Sequence, residues 1–426
     1  MIVLFGKTGH YVLTRSRRLS RFPSSPLFRS AVMILPIMLL FLAQAGCPEL
    51  NPRTGPPVRA RPTWTGSPFI EWEVSTFLNP LLAWRVLSEG ILVYEGALRD
   101  GRFEPEKAVL LDFSGDKVLW RKSLSPTLPL AGEVFSAKSL YLPPTTSRPA
   151  QFLTWVQGDV LRVQNLSTGE DTWNRPGCRF PVLHRDRVAA VCFDRLTLIE
   201  ADSGQIVTTQ ALGFSPTGLW VHGENFILRD TQDILHHLRL SGGALPRIPT
   251  PGRLAHVHVQ GKHLLLLSRH RDGFVLQSLS MSGQGWVLDW KTGLNQVPET
   301  FWVHGFQELV IFPIGFDCIA ARDQARGQEA WISCGVDPRN PPAWDEDGVF
   351  LLSSRTENEH RPVIYVDGYN GLQTPLFRNT DDASIEPIMA MTIAPGPILD
   401  GVLHGVHSTS RLFALRVAAP VTREKP

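Results

Sequence analysis

Histidines are the residues best suited to metal chemistry in this chain, and six of the thirteen fall between positions 236 and 270. In a β-strand His256 and His258 share one face, which is adequate geometry for two metal ligands. No carboxylate or third histidine is fixed beside this pair by local spacing, so the sequence predicts no metal site. The histidines of this region are His236, His237, His256, His258, His263 and His270.

An acidic run at Asp345-Glu346-Asp347-Gly348 is the other candidate for cation chemistry. A hand-type calcium loop needs a longer series of ligands that ends in a glutamate, so a solvated hairpin turn is the better interpretation. No nucleophile and base stand at a motif spacing anywhere in the chain. We therefore expect no catalytic residue, no cofactor-binding residue, no cofactor and no enzymatic activity.

Cysteine spacing carries a clearer signal. Apart from Cys47 the chain has four cysteines, an even number that suits an oxidising compartment. Cys318 and Cys334 are centred on a glycine turn, so a symmetric hairpin places them opposite each other with Cα atoms ~5 Å apart. Cys178 and Cys192 are centred in the same way between two apolar runs. The sequence predicts these two disulfides, with four buried thiols of a reduced protein as the alternative.

Residues 1–46 have the pattern of an export signal. A basic segment ending at Arg29 precedes thirteen uncharged residues, 31–43, which are enough for a signal peptide but too few to span a bilayer of ~30 Å. Ala45-Gly46-Cys47 is similar to the end of a bacterial lipobox, with Gln44 at the place where Leu is usual. Cleavage after Ala45 at an A-x-A site is the alternative. We expect lipidation at Cys47, followed by a Pro-rich tether over 47–68.

Composition favours a folded β protein after the tether. The chain is 43% hydrophobic and 19% charged, and its 35 Gly and 34 Pro favour many short strands joined by turns. The net charge of +2 includes six basic residues that precede Cys47. Without them, 36 Lys and Arg stand against 40 Asp and Glu, a charge of −4, which argues against nucleic acid as a partner.

One local pattern recurs about every 40 residues, the length of a four-stranded propeller blade. It consists of an apolar strand, a polar turn that ends in glycine, and a second strand that often carries Trp. We predict an all-β, eight-bladed β-propeller of four-stranded blades over 69–417, followed by a tail over 418–426. A strand at 412–417 should pair with one within 69–87 and close the ring; seven blades are the alternative. The turn glycines are Gly115, Gly169, Gly204, Gly242, Gly283, Gly327 and Gly371.

These repeats resemble the PQQ-like (quinoprotein-type) propeller repeat, whose typical form is A-x-D-x-x-T-G-x-x-x-W. The likeness is best at Gly115, Gly169 and Gly327, and it implies that tryptophans after the turns pack between blades. The dehydrogenases of that class hold their quinone beside adjacent cysteines, and no two cysteines are adjacent here. The resemblance therefore does not extend to the cofactor. The tryptophans concerned are Trp84, Trp120, Trp173, Trp290 and Trp331.

A lipidated eight-bladed domain behind a short tether also resembles the lipoprotein B family of the outer-membrane β-barrel assembly machinery. That likeness implies a non-enzymatic, monomeric scaffold that binds envelope proteins through propeller loops. It would lie at the periplasmic face of the outer membrane by its lipid anchor alone, or be secreted to the periplasm. The irregular segments 142–149 and 353–362 are the first candidates for binding loops. A periplasmic quinoprotein-like enzyme and a propeller that binds glycan or another small ligand are the alternatives.

Overall fold

The computed structural model describes residues 69–417 with gaps, and all of the described residues belong to one compact unit. These residues form strands and turns and no helix, which confirms the all-β class. None of the described residues forms a helix long and apolar enough to cross a membrane. The gaps are at 75–80, 87–89, 100–101, 116, 124–139, 142–151, 158, 185–186, 241–244, 246, 251, 283–284, 299–300, 356–360, 380–384, 391, 399–400 and 409–410.

The first strand in the chain, β1 (Phe69–Val74), is followed by three sheets of four strands each. Sheet 1 contains β2 (Leu81–Val86), β3 (Ile91–Arg99), β4 (Arg102–Leu111) and β5 (Val118–Ser123). Sheet 2 contains β6 (Leu140–Tyr141), β7 (Phe152–Gln157), β8 (Val160–Asn165) and β9 (Asp171–Pro176). Sheet 3 contains β10 (Cys178–His184), β11 (Arg187–Cys192), β12 (Arg195–Glu200) and β13 (Ile206–Ala211).

The next three sheets repeat this antiparallel order. Sheet 4 contains β14 (Pro216–His222), β15 (Asn225–Asp230) and β16 (Leu235–Leu238). Sheet 5 contains β17 (Arg253–Gln260), β18 (His263–His270), β19 (Gly273–Ser282) and β20 (Gly285–Leu294). Sheet 6 contains β21 (His304–Phe306), β22 (Leu309–Ile314), β23 (Cys318–Asp323) and β24 (Glu329–Cys334).

The last two sheets are less regular. Sheet 7 begins with β25 (Val336–Asp337), β26 (Ala343–Trp344), β27 (Gly348–Ser353), β28 (Arg361–Asp367) and β29 (Gln373–Pro375). A separate ribbon contains β30 (Phe377–Asn379) and β31 (Ile385–Pro387). The strands β32 (Met389–Ala390) and β34 (Gly396–Pro397) join sheet 7. Sheet 8 combines β33 (Thr392–Ile393), β35 (Val402–Ser408) and β36 (Arg411–Arg416) with β1.

The two ends of the described chain meet in sheet 8. β1 pairs antiparallel with β36, so that Phe69 lies opposite Arg416 and Val74 lies opposite Leu412. This is the strand pairing predicted from the unpaired C-terminal strand. An edge that would otherwise carry free backbone donors and acceptors is thereby covered.

Alternating side chains of one strand pack toward two different neighbouring sheets. In β18, Leu264 and Leu266 belong to an apolar cluster shared with sheet 4, whereas Leu265 and Leu267 belong to a cluster shared with sheet 6. Each of these four leucines is at most 1% exposed. A strand that is buried on both faces has a continuous run of apolar residues in its sequence. Each sheet therefore depends on both of its neighbours for burial.

Tryptophans join successive sheets at the repeat turns. The indole N–H of Trp120 in sheet 1 donates to the carbonyl of Leu166 in sheet 2 at 2.7 Å, and Trp331 in sheet 6 donates to Gly368 in sheet 7 at 3.0 Å. Trp173 and Trp290 make the same bond to the turns of sheets 3 and 6. The predicted packing of these four tryptophans between blades is confirmed. Trp84 lies in β2, but its side chain is outside the described residues.

The repeat turns require glycine for two reasons. Several turn glycines have φ between +67° and +72°, where only glycine sits without strain: Gly169, Gly204, Gly327 and Gly371. A Cβ atom at Gly327 would also lie 2.3 Å from Cγ of Trp290. The glycine thus allows the tight turn and leaves room for the ring of the preceding sheet.

Sheet 4 departs from the predicted four-stranded blade. Among the described residues it has three strands, and a single bridge from Leu235 to Ile248 stands where a fourth strand is expected. Prolines at 246, 249 and 251 surround this bridge, and proline cannot donate to a strand ladder. The predicted turn glycines Gly242 and Gly283 lie outside the described residues.

Candidate functional site

A disulfide holds one end of sheet 3. Cys178 begins β10 and Cys192 ends β11, and the two are register partners with Cα atoms 3.9 Å apart and a bonded S–S distance of 2.07 Å. The bond therefore lies at the end of the sheet where the hairpin from its second to its third strand turns. We call this hairpin, residues 192–195, the sheet 3 hairpin.

The sheet 3 hairpin presents an aromatic side chain to solvent. Phe193 is 72% exposed and has a left-handed φ of +56°, which costs a non-glycine residue about 1–2 kcal/mol. Its N–H donates to the carbonyl of Gly177 at 2.6 Å, and a Cβ at Gly177 would lie 2.5 Å from the ring. The backbone of this turn is therefore tied to Gly177 beside the disulfide, and the ring lies against Gly177 while most of its surface stays exposed.

Two exposed arginines lie on the strands next to this hairpin, on opposite faces of sheet 3, because Arg179 pairs with Val191 and Arg195 with the adjacent Cys192. Arg179 is exposed on β10 and lies 5.8 Å from the ring centre of Phe180. Arg195 is exposed at the start of β12, where it is the register partner of Cys192. Aromatic and Arg side chains are the types enriched among residues that dominate protein interfaces. We define the Phe193 surface as Phe193, Asp194 and Arg195, the exposed residues of the sheet 3 hairpin.

Sheet 6 repeats the combination of disulfide and exposed aromatic residue. Cys318 begins β23 and Cys334 ends β24, and these register partners are bonded with Cα atoms 4.0 Å apart. The preceding hairpin, residues 314–318, presents Phe316, which is 59% exposed. The structure thus contains both disulfides that the sequence spacing predicts, and each lies next to an exposed phenylalanine.

A cavity of about 380 Å³ opens beside the Phe316 hairpin, between sheets 5 and 6. Its apolar wall is formed by Leu294, Ile314 and Ala320, and the Cys318 end of the disulfide also lines it. Its polar lining residues are Asn295, Gln296, Asp317, Arg322 and Glu329.

The histidine pair His256 and His258 does lie on one strand, β17, with ring centres 6.5 Å apart. His236 instead lies 2.7 Å from a carboxylate oxygen of Asp230, and His237 accepts a bond from the indole N–H of Trp286 at 3.3 Å. Within the described part of the chain, no group of three or more His, Cys, Asp or Glu is placed to hold a metal ion.

Burial keeps several histidines neutral. It lowers the pKa of His304 and of His404 to about 4, and a neighbouring His258 adds to the effect at His304. Burial in the same way lowers the pKa of His237 to about 4. At neutral pH these imidazoles carry no charge, so they do not supply cations for ligand binding.

The acidic run 345–348 forms the predicted hairpin turn. A side-chain oxygen of Asp345 accepts the N–H groups of Asp347 and Gly348 at 2.9 and 2.8 Å. Burial raises the pKa of Asp345 to about 6. The carboxylate therefore satisfies its own turn rather than facing an open site.

Among the described residues, a Ser-His-Asp grouping in sheet 5 comes closest to catalytic geometry. Asp289 accepts from Ser280 at 2.6 Å and from Ser278 at 3.3 Å, and it lies 3.1 Å from Nδ1 of His263. A triad needs the histidine between the serine and the carboxylate, whereas here the carboxylate binds both partners. The grouping holds three strands together and does not activate either serine.

Several predicted positions fall wholly or partly beyond the described residues. Cys47 and the segment 142–149 lie outside them. In the segment 353–362, Ser353 ends β27 and Arg361 begins β28, while 356–360 are outside. Sequence reasoning missed Phe193 and Phe316, although an aromatic residue in a turn next to a predicted cysteine pair is a signal that could have revealed both.

Comparison with solved structures identifies the fold. BamB from Moraxella catarrhalis has 10% sequence identity, a TM-score of 0.51 and coverage of 85% of this chain and 100% of that one. The C-terminal WD40 domain of Sif2 has 11% identity, a TM-score of 0.51 and coverage of 83% and 99%. The designed protein Ika8 has 9% identity, a TM-score of 0.50 and coverage of 80% and 100%. The chain is a β-propeller protein.

Sequence comparison gives no narrower assignment. No family model matches the chain, and no curated protein matches it in sequence. At these identities the structural likeness concerns the fold alone.

Proposed function

We propose that this protein is an exported lipoprotein whose propeller is a non-enzymatic scaffold for other envelope proteins. Support for export comes from the signal pattern and the lipobox at Cys47. The disulfides Cys178–Cys192 and Cys318–Cys334 add to it, because such bonds persist in oxidising compartments. With a lipid on Cys47 as its only membrane attachment, the monomeric domain would lie at the periplasmic face of the outer membrane.

The proposed architecture is a closed ring of eight blades. Eight sheets of three or more strands follow one another through the described residues, and the last one takes its outer strand β1 from the start of the domain. The Trp-to-turn bonds between successive sheets support a PQQ-like repeat. Together with the lipid anchor, they support a role like that of the lipoprotein B family in outer-membrane protein assembly.

The Phe193 surface is the observation that carries the scaffold proposal. Phe193 is 72% exposed on a hairpin whose backbone is restrained by a disulfide and a hydrogen bond to Gly177, so this segment loses little backbone entropy when a partner covers it. Arg195, which is exposed in the same hairpin, adds a long side chain that can donate to a partner's acidic or carbonyl groups. We place the working surface of the scaffold at this hairpin.

In-cell photo-crosslinking tests the proposal. A photoreactive phenylalanine analogue at position 193 should yield a crosslinked product with an envelope protein, identified by mass spectrometry. The matched control carries the same analogue at Leu372, which is 46% exposed in the repeat turn of sheet 7. No product at position 193, or equal products at both positions, would contradict the scaffold at this surface.

Membrane fractionation tests the anchor separately. Cys47→Ala should release the protein from membranes, since a single residue supplies the lipid site. If the parent already fractionates as soluble, the A-x-A cleavage is correct and the lipid anchor is not.

A further inference from the structure

The two disulfides of this protein differ in burial. Cys178 is 0% exposed and Cys192 is 7% exposed, and both belong to the apolar cluster between sheets 2 and 3. Cys318 and Cys334 are instead half-buried. A thiol compound can open a disulfide only where it reaches one of the two sulfur atoms. The disulfide of sheet 6 is therefore the one that is open to attack in the folded protein.

The cavity between sheets 5 and 6 gives a small molecule access to one end of this disulfide. Cys318, unlike Cys334, is among the residues that line this space of about 380 Å³. Ala320 is the next residue on the same face of β23 and also lines the cavity, so a small side chain leaves room beside the cysteine. An incoming thiol compound would consequently attack Cys318 rather than Cys334.

The charge beside Cys318 selects among thiol compounds. A side-chain oxygen of Asp317 lies 3.3 Å from Sγ of Cys318, and Asp317 is exposed. The other two charged residues of the cavity, Arg322 and Glu329, are bonded to each other at 3.2 Å. An attacking molecule therefore meets one negative charge next to the sulfur. A thiol compound with a further anionic group is repelled there, and one with a cationic group is attracted.

The strand ends at this site are held together by more than the disulfide. The N–H groups of Gly335 and Val336 donate to the carbonyl of Asp317 at 2.7 and 3.1 Å. The pairing of β23 with β24 continues beyond the cysteines at Ile319 and Ser333. Cleavage of the disulfide thus leaves the backbone ladder in place, and exchange does not require the sheet to unfold.

We propose that Cys318–Cys334 is a site of thiol–disulfide exchange for small neutral or cationic thiol compounds, whereas Cys178–Cys192 is a permanent structural bond. The thiolate of the incoming molecule forms a new S–S bond to Sγ of Cys318 while the bond from Cys318 to Cys334 breaks. Cys334 leaves as a thiolate and takes a proton from water. The product carries a mixed disulfide at Cys318 and a free thiol at Cys334. This reactivity goes beyond the scaffold function and does not depend on the Phe193 surface.

Timed exchange on the folded full chain tests the site. Any free thiol at Cys47 is first blocked with iodoacetamide, the protein is then exposed to cysteamine, and samples are quenched with N-ethylmaleimide for peptide mass spectrometry. Cys318–Cys334 should open at least about tenfold faster than Cys178–Cys192, because the buried pair is reached only after local opening between sheets 2 and 3. The first product should carry cysteamine at Cys318 and N-ethylmaleimide at Cys334.

A second arm tests the selection by charge. The rate with cationic cysteamine is divided by the rate with anionic 2-mercaptoethanesulfonate, at low ionic strength and equal thiolate concentration. Asp317→Asn should lower this ratio about three- to tenfold, as expected for charges of opposite sign about 6 Å from a carboxylate in water. Glu308→Gln is the matched control, because it removes an exposed carboxylate at the other end of sheet 6. It should leave the ratio unchanged.

Three results would overturn the exchange site. They are equal opening rates of the two disulfides, opening that occurs only together with loss of the far-UV circular dichroism signal, and a first product that carries cysteamine at Cys334. An equal rate ratio for the parent and the Asp317→Asn variant would overturn the preference for neutral or cationic thiols.

Discussion

Substituting alanine for two glycines of sheet 6 separates backbone strain from packing at the junction between sheets. Gly315 and Gly327 both have φ of +67°, so alanine at either position incurs the same left-handed penalty of about 1–2 kcal/mol. Nothing lies within 4 Å of a Cβ at Gly315, whereas a Cβ at Gly327 would lie 2.3 Å from Cγ of Trp290. Gly315→Ala is therefore a control for the backbone alone.

Overpacking adds to the penalty at Gly327. Trp290 is 7% exposed and its indole N–H is bonded to Gln324 at 2.9 Å, so the ring has little freedom to move away. Overpacking of this kind costs about 1–3 kcal/mol. We expect Gly315→Ala to lower the free energy of unfolding by about 1–2 kcal/mol and Gly327→Ala by about 2–5 kcal/mol.

Urea denaturation followed by far-UV circular dichroism measures both values. A double-mutant cycle with Trp290→Ala should remove the additional cost at Gly327, because the ring that meets the new methyl group is gone. Equal destabilisation by the two alanine variants, or an unchanged cost at Gly327 in the Trp290→Ala background, would refute the packing role of the tryptophan.

Acid and reduction should each weaken the fold. Because burial lowers the pKa of His304 and His404 to about 4, the unfolded chain binds more protons between about pH 6.5 and 4. As the pH falls through this window, the free energy of unfolding should therefore decrease by up to roughly 3 kcal/mol for each histidine. Asp345 acts in the opposite direction, because its pKa is raised to about 6 in the folded protein, but it is one group against two. The urea midpoint should therefore be lower at about pH 5 than at about pH 7.5, and equal midpoints would contradict this. The disulfides have sequence separations of 14 and 16, so each should contribute about 3 kcal/mol; an unchanged midpoint after reduction would contradict this.

The periodic features of the fold were predictable from the sequence. The glycine turns, the tryptophans that follow them and the pairing of 412–417 with an early strand all follow from a repeat in which every sheet meets the same geometric demands. Cys178–Cys192 and Cys318–Cys334 were predictable for a related reason, because a symmetric hairpin fixes which residues lie opposite each other.

Features that differ from one sheet to the next escaped prediction. Among the described residues, a single bridge at Ile248, next to Pro249, stands where the fourth strand of sheet 4 is expected, an exception that a repeat average conceals. The cavity beside Phe316 arises because Ala320 on one sheet meets Leu294 on another, and contacts between sheets have no local signature in the sequence. Exposure of Phe193 likewise depends on the placement of Gly177 beneath its ring.

The closed ring that we propose depends on the pairing of β1 with β36, so a crosslink between the two ends is its most direct test. Phe69 and Arg416 are register partners, the same relation that joins Cys178 to Cys192. Phe69→Cys with Arg416→Cys should form a disulfide in the oxidised full chain, detected as a linked peptide by mass spectrometry. The control pairs Phe69→Cys with Arg411→Cys, at the far end of β36 and about 16 Å away along the strand. A linked peptide for the first pair and none for the control is the predicted result; no link between 69 and 416, or equal yields for both pairs, would contradict the closed ring.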